Sequence, residues 1–326
     1  MQITPSMARS CLDNRFLELI IMPTEACNFR CIYCYQDFQQ KQMPPQVVTS
    51  VVNLLTRRAP GLRHLRLSWF GGEPLLAKDV IEEILLHASG LRHQYSDLQF
   101  SSDISTNALL LSRSLFERLV HLGVTLYQIS FDGPRDQHDK KRVLAGGGRT
   151  FETLWRNLLV LRDVRGEFTI LVRLHMDKEN LESLPEFIRD YAEAFRCDLR
   201  FKLFFRQLSY MGGPNDDRLA ILDQRGCEKA VQSLSRYAQE MGVSYITTDN
   251  ITPVCYAARG NSYVVRADGR LNKCTIALNH PSNQVGRLLE TGQLQLDAPK
   301  MRMWMRGLQS GRASELECPM HGYADS

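Results

Sequence analysis

The sequence predicts an α/β fold: a parallel sheet joined by helical crossovers, with a smaller tail behind it. Three observations point there. A strand-then-helix rhythm repeats six times between residues 15 and 242. The strand-like runs are short, apolar and β-prone, while the segments between them space their apolar residues for one helix face. From about residue 246 the rhythm stops, which puts the expected division at 1–245 and 246–326.

RFLELIIMP (15–23) is the first expected strand, closed by Pro23, and PQVVTSVVNLLTRRA (45–59) its helix. HLRLSWF (64–70) with AKDVIEEILLHAS (77–89) is the second pair, and LQFSSDIST (98–106) with SRSLFERLVHLG (112–123) the third. VTLYQISFD (124–132) precedes RTFETLWRNLLVLRD (149–163), where Thr150 is the expected N-cap. EFTILVRLHM (167–176) precedes NLESLPEFIRDYAEAF (180–195), and DLRFKLFF (198–205) precedes CEKAVQSLSRYAQEMG (227–242). Six such units suit an open doubly wound sheet or an incomplete barrel, and periodicity does not choose between them. In the tail, SYVVRADGRLNKC (262–274) reads as a hairpin about Asp268-Gly269, and KMRMWMRGLQSG (300–311) as one helix. A tail of roughly 80 residues is small for its own core and would gain from a metal staple.

Composition excludes several classes. The 326 residues, 44% hydrophobic and 23% charged, are those of an ordinary globular chain. A net charge of +4 is too mild for a nucleic-acid binder, and the densest basic stretch, LTRRAPGLRHLRL, reads as a helix end and loop. No apolar run approaches a membrane span, and the opening residues hold no apolar signal core. Nine cysteines in such a chain read as metal-binding or catalytic thiols in a reducing cytoplasm rather than as a disulfide framework.

EACNFRCIYCYQDF (25–38) spaces Cys27, Cys31 and Cys34 as C-x3-C-x2-C. Core thiols on one helix face are disfavoured, because the stretch follows a strand and Pro23. Structural zinc wants a fourth ligand, and no further Cys or His lies nearby. Thiolates favour iron–sulfur clusters, and a cubane on three cysteines leaves one iron open to a small molecule. With Tyr33 before the last cysteine, the stretch resembles the signature of the radical S-adenosylmethionine (radical SAM) enzymes. The resemblance implies a 4Fe-4S cluster whose open iron chelates SAM. It also implies an electron donor such as a flavodoxin or ferredoxin, and reductive cleavage of SAM to a 5′-deoxyadenosyl radical that removes a substrate hydrogen.

Further stretches at expected strand ends carry the same likeness. SWFGGEPLL resembles the family's GGE element, which implies that Gly71, Gly72 and Glu73 meet the amino end of SAM. Thr106-Asn107 resembles its TN element. QISFDGPRDQHDKKR resembles the S-x-D-G element of peptide-modifying members, with Ser130 and Arg142 as implied SAM contacts and Leu203 as an apolar contact to adenine. Together these imply a partial (β/α)6 TIM-like barrel over about residues 16 to 206. AGGGR (145–149) lacks a P-loop's Lys-Ser/Thr and reads as a loop over the site.

Cys255 and Cys274 flank the tail hairpin, the latter closing a G-x4-C from Gly269. This resembles the opening of the SPASM or twitch domain, which implies a small C-terminal domain with one auxiliary 4Fe-4S cluster on Cys255, Cys274 and Cys318. His321 stands where a further cysteine is expected, and the fourth iron would take His321, another ligand such as Cys227, or none from the protein. Cys11, Cys197 and Cys227 read as small buried hydrophobes, with Cys197 or Cys227 a hydrogen-atom donor if the reaction is an epimerisation.

Relatives with such a tail imply a ribosomally made precursor peptide as substrate and an intramolecular carbon–carbon or thioether cross-link as product. Epimerisation, sulfatase-type oxidation and small-molecule dehydrogenation are the alternatives, and an iron–sulfur sensor is the non-catalytic one. The sulfatase-maturing reading is set back because Thr275 stands where those enzymes carry an aspartate base. With about fifteen residues before the first strand, leader recognition is expected at the barrel mouth, the tail or a separate leader-binding protein. His175, Asp177, Arg206 and Tyr210 are candidates for the substrate channel, the first two also for catalysis. No nucleic-acid or membrane partner is expected.

Overall fold

A computed structural model of the protein describes residues 4–39, 41–247 and 254–320. A short helix, α1 (Pro5–Leu12), opens the chain, the Thr4 hydroxyl accepting from the Met7 N–H. Then β1 (Phe16–Ile21) leads to α2 (Pro45–Arg58), β2 (His64–Trp69) to α3 (Lys78–Gln94), and β3 (Gln99–Thr106) to α4 (Arg113–His121). β4 (Val124–Phe131) leads to α5 (Arg135–Lys141) and α6 (Phe151–Arg162). β5 (Thr169–Met176) leads to α7 (Leu184–Phe195), and β6 (Phe201–Gln207) to α8 (Gln224–Glu240). Behind these come β7 (Tyr245–Ile246), β8 (Ser262–Val265), β9 (Arg270–Asn272), β10 (Gln284–Leu288) and β11 (Leu294–Leu296). Three short helices follow: α9 (Ala298–Trp304), α10 (Arg306–Ser310) and α11 (Ala313–Glu317). The six expected strand–helix units are all present, and α5 is an addition between β4 and its expected helix.

The chain packs as two compact units, Met1–Ala26 with Phe38–Ser102 and Ile251–Ser326, and Cys27–Asp37 with Asp103–Asn250. In the first, the strand order is β11-β10-β9-β8-β1-β2-β3, and in the second β3-β4-β5-β6-β7. Six strands neighbouring one another in chain order, each followed by a helix, are the partial (β/α)6 arrangement expected.

In the first unit β1 is sealed on both edges. It pairs in parallel with β2 from Phe16↔His64 to Ile21↔Trp69, and with β8 from Glu18↔Ser262 to Ile21↔Val265. The tail thus extends the barrel sheet. Two buried polar links fix the join: Ser262 Oγ donates to Glu18 Oε2 at 2.9 Å, and Arg266 grips both oxygens of Glu25. The expected hairpin is there, β8 and β9 pairing antiparallel about Gly269 at φ +82°. The tail stretches that read as loop include a further antiparallel pair, β10 with β11. The helix expected over 300–311 is broken at Met305 into α9 and α10. Trp304 is fully buried with its indole N–H on the Ser282 carbonyl, and α11 closes on Gly307, where an added Cβ would meet Leu316 at 2.9 Å.

In the second unit, register sorts the side chains of β4, β5 and β6 onto two faces. Tyr127, Ile129 and Phe131 pair with Ile170, Val172 and Leu174, and these last two pair with Leu203 and Phe205. This face lies under the helices: Phe131 packs edge-on against Phe151 and Trp155 of α6 and tilted against Phe187 of α7. The opposite face carries Gln128, Ser130, Arg173, His175, Phe204 and Arg206.

Candidate functional site

The three-cysteine loop is tied down by its main chain. Arg30 N–H donates to the Val143 carbonyl, Ile32 N–H to that of Lys141, and Ala145 N–H to that of Asn28. The loop therefore runs antiparallel to the segment leaving α5, bridged at Phe29 and Leu144. AGGGR begins where this pairing ends. Asn107, at the carboxyl end of β3, donates to Asn28 Oδ1 at 2.7 Å, and Asn215 to the Ile32 carbonyl at 3.0 Å. Asn107 Oδ1 also accepts from Leu109 N–H, and Thr106 Oγ1 from Ala108 N–H, so the TN pair shapes a turn in which Ala108 takes φ +62°.

The cysteines among the described residues are free thiols. Burial pushes the Cys31 thiol up to about 12 despite the nearby Arg142, and Cys34 is raised the same way. A bound metal supplies the charge that turns such thiols into thiolates. Phe29 N–H already points at Cys27 Sγ at 3.4 Å. Three thiols with an N–H on one sulfur suit an iron–sulfur cluster. Among the described residues no three Cys, His, Asp or Glu side chains are grouped as for a single metal ion.

Beside the loop lies a buried relay. Arg142 Nη1 donates to Tyr33 Oη at 2.8 Å, and Tyr33 donates to Asp132 Oδ1 at 3.0 Å. His175 Nδ1 stands 2.9 Å from the same oxygen and 3.1 Å from Tyr33 Oη. Burial and the hydrogen bond that Nδ1–H donates to Asp132 oppose each other at His175, and burial prevails, lowering its basicity. Burial alone would raise Asp132, but His175 and Arg142 hold it at about 2, so the carboxylate is ionised. Because a neutral His175 supplies no charge, its Nδ1–H and Arg142 carry that effect. Burial likewise works against the Arg142 charge, yet the Tyr33 oxygen that accepts its Nη1–H and the ionised Asp132 raise its pKa. Arg142 Nε is buried without a hydrogen-bond partner, and so is Asp132 Oδ2. An enclosed guanidinium with an unfilled donor is a site for an anion.

Several expected residues sit elsewhere. Leu203 is fully buried on the helix-covered face beside Val172, so its side chain is turned away from the face carrying Ser130 and His175. Cys197 is exposed, not a buried hydrophobe, and precedes β6 at its amino end, so it is not placed as a hydrogen donor to groups at the strands' carboxyl ends. Cys227, half-buried, lies in the first turn of α8, which follows the carboxyl end of β6, and feels the charge of Arg206. Asp177 has its oxygens occupied: one accepts from the N–H groups of Glu179 and Asn180, the other from buried Lys141. It fastens the turn after β5, which fits a structural role. Thr150 opens α6 without capping it; its hydroxyl donates to the Arg142 carbonyl at 2.6 Å, and Asp139 takes the N–H groups of Thr150 and Phe151. Asp132 and Asn28 lie within the motif stretches, but only their contacts to residues distant in sequence, His175 and Asn107, give them a role.

In the first unit the GGE turn leaves β2 and presses on the segment that precedes Cys27. Gly72 and Glu73 donate to the carbonyls of Thr24 and Ala26. A Cβ on Gly71, itself at φ +124°, would lie 2.2 Å from the Thr24 carbonyl oxygen, and one on Gly72 at 2.2 Å from that of Ala26. The glycines are thus required by chain against chain, whatever ligand they also meet. Glu73 is fully buried, with Oε1 accepting from Leu75 N–H.

The tail thiols neighbour one another. Burial lifts Cys255 to about 11, and Cys274 and Cys318 are close enough for their charges to add to that. Ile276 N–H donates to Cys274 Sγ at 3.3 Å, and Asn283 Oδ1 accepts from the N–H groups of Lys273 and Cys274. Three thiols with a sulfur-directed N–H again suit a cluster. His321 lies outside the described residues. Thr275 shares its hydroxyl with Tyr256 Oη at 2.8 Å.

Residues 21–191, just over half of the chain, match the radical SAM superfamily. The chain belongs to that superfamily. Membership implies a 4Fe-4S cluster and SAM. The chain is 29% identical over 164 residues to the cysteine-type anaerobic sulfatase-maturating enzyme of Clostridium perfringens, covering 48% of this chain and 43% of that one. It is 25% identical over 245 residues to the PqqA peptide cyclase of Rhodopseudomonas palustris, covering 74% and 60%. The chain spans about half the length of the curated relatives it matches. In fold it resembles native anSMEcpe with bound AdoMet (TM-score 0.68, 19% identity, 88% of this chain and 80% of that chain). It also resembles Streptococcus suis SuiB bound to precursor peptide SuiA (TM-score 0.62, 15% identity, 94% and 69%). No helix among the described residues is long and apolar enough to cross a membrane.

Proposed function

We propose that this radical SAM protein modifies a ribosomally made precursor peptide, forming an intramolecular carbon–carbon or thioether cross-link. Cys27, Cys31 and Cys34 would hold the SAM-binding cluster. Gly71, Gly72, Glu73, Thr106, Asn107, Ser130, Tyr33 and Arg142 would serve SAM. When bound, cluster and SAM supply the radical chemistry that breaks a substrate C–H bond, with electrons from a flavodoxin or ferredoxin. The protein's part is to hold and orient. The observation that carries this reading is Arg142, enclosed beside the three-cysteine loop with Nε unfilled. Its charge suits the SAM carboxylate, and Tyr33, Asp132 and His175 fix its position through three short hydrogen bonds. Peptide as the substrate class is supported by relatives named for peptide cyclisation and by likeness to an enzyme bound to a precursor peptide. Cys255, Cys274 and Cys318 would hold one auxiliary cluster.

The test is anaerobic reconstitution with SAM and dithionite, reading 5′-deoxyadenosine, followed by co-expression with short reading frames beside the gene. Cleavage is expected, lost in Cys34→Ala, with a peptide product two hydrogens lighter. Arg142→Ala should weaken SAM binding about tenfold or more, the value of a charge-assisted hydrogen bond. No cleavage with the cluster intact sinks the reading. A sulfatase-maturating reaction is the second reading, favoured by the 29% identical relative; conversion of a cysteine-containing sulfatase peptide to formylglycine would decide for it.

A further inference from the structure

Beyond the relay, the same face of the second unit carries two more arginines, Arg173 on β5 and Arg206 on β6. Register puts Arg173 level with Ser130 and Phe204, and Arg206 level with His175, one side-chain step nearer the carboxyl end. Both thus point to the side where His175 meets the relay. Arg173 Nε is buried with no hydrogen-bond partner. Neither guanidinium forms an ion pair or a side-chain hydrogen bond with the described residues, whereas Arg200 on the same unit is engaged by Asp198 and by the carbonyls of Val164 and Arg162. Burial and then the like charge of Arg206 lower the pKa of Arg173. Arg206 is exposed.

A half-buried cation beside a second cation is costly unless an anion arrives. Arg142 would answer to the SAM carboxylate. The remaining pair runs from the exposed Arg206 to the half-buried Arg173, whose Nε is enclosed, as for a group entering from solvent at the strands' carboxyl ends. Two guanidiniums on adjacent strands match the two oxygens of a carboxylate.

We propose that Arg173 and Arg206 form a subsite for a carboxylate side chain of the peptide substrate, so that the modified peptide carries an Asp or Glu at or beside the reacting residue. This rests on the peptide-modifying reading above and names its substrate class.

The test is a binding experiment needing no turnover. The reconstituted protein with SAM bound is titrated with two fluorescent pentapeptides, Gly-Ala-Glu-Ala-Gly and the same peptide with Gln in place of Glu. Wild type should bind the Glu peptide about tenfold more tightly. The Glu/Gln ratio should fall to about one in Arg173→Gln and Arg206→Gln and recover in part in Arg206→Lys. The Gln peptide reports whether each variant still folds and binds. Equal binding of the two peptides, binding of neither, or a preference that survives both substitutions overturns the proposal. So does a loss of SAM affinity matching the loss of Glu-peptide affinity, which would assign the pair to SAM itself. SAM cleavage by wild type is read separately: its absence sinks the proposed function, whereas a flat Glu/Gln ratio sinks only the subsite.

Discussion

His138 shows how much one buried side chain is asked to do. Its Nδ1 accepts from Asp132 N–H at 3.4 Å, and its Nε2 lies 3.1 Å from Thr150 Oγ1. The Thr150 hydroxyl proton is committed to the Arg142 carbonyl, so Nε2–H must donate and Nδ1 must stay bare. Burial first, then the Arg142 charge, pushes His138 down to about 3 from its ordinary 6.5. The folded-state value is depressed, so the unfolded chain binds this proton more readily. The stability it contributes is present above about 6.5 and is lost as pH falls toward about 3. The unfolding free energy of wild type should fall by about 1 kcal/mol per pH unit from this group as pH drops through that window. His138→Asn should flatten the dependence while lowering stability at pH 7, and an unchanged slope would remove His138 as its cause. The histidine's position in QISFDGPRDQHDKKR was visible from sequence, but its role was not. Nothing in the spacing says that the ring turns inward to hold the Asp132 main chain and Thr150. The three cysteines stand out by their spacing and Arg142 by the likeness of its stretch to a family element, and the structure brings Arg142 onto Tyr33 of the three-cysteine loop.

At the scale of elements, the GGE turn was read for its likeness and its glycines explained by a ligand. The structure gives them a second reason. Gly72 lies where a Cβ would stand 2.5 Å from the Ala26 carbonyl carbon, and both neighbours are main chain, which cannot swing aside. Gly72→Ala should therefore push the 24–26 segment off its hydrogen bonds to the turn, at a cost of about 2 kcal/mol or more. Ala26 immediately precedes Cys27 in sequence, so iron retained after reconstitution should fall along with the melting temperature. Retention of full iron and wild-type melting would show that the turn has slack. Other elements went as their patterns said, β1 to β6 and their helices lying within a few residues of expectation. The misses have local causes. α5 is seven residues, too short to show a periodicity, and α9 and α10 share one apolar pattern that Met305 interrupts only because Trp304 and Gly307 are pinned by different neighbours.

For the molecule as a whole, the rhythm ends near residue 246, and beyond it β8 is a strand of the same sheet as β1. That pairing joins residues some 240 apart, and a four-residue apolar run gives no hint of its partner. The join is also where charge is enclosed: Arg266 and Glu25 each have side chains 2% exposed and satisfy each other. Removing one partner of such a pair leaves the other buried and uncompensated, typically at about 3–5 kcal/mol. Arg266→Ala should accordingly destabilise the protein by that order. A chain ending at residue 245 would lose more: the β8 edge of β1, the Ser262 bond to Glu18 and the guanidinium on Glu25 all go together. Such a chain should be insoluble or melt far below wild type. By contrast, a variant with Cys255, Cys274 and Cys318 all changed to Ser keeps every one of those contacts. It should retain the fold while iron drops from about eight to about four per chain, which is what the proposed auxiliary cluster on these thiols requires. Equal stability of the truncated and full-length chains would mean that the tail is an appendage after all, and a triple variant that fails to fold would make its cluster part of the scaffold.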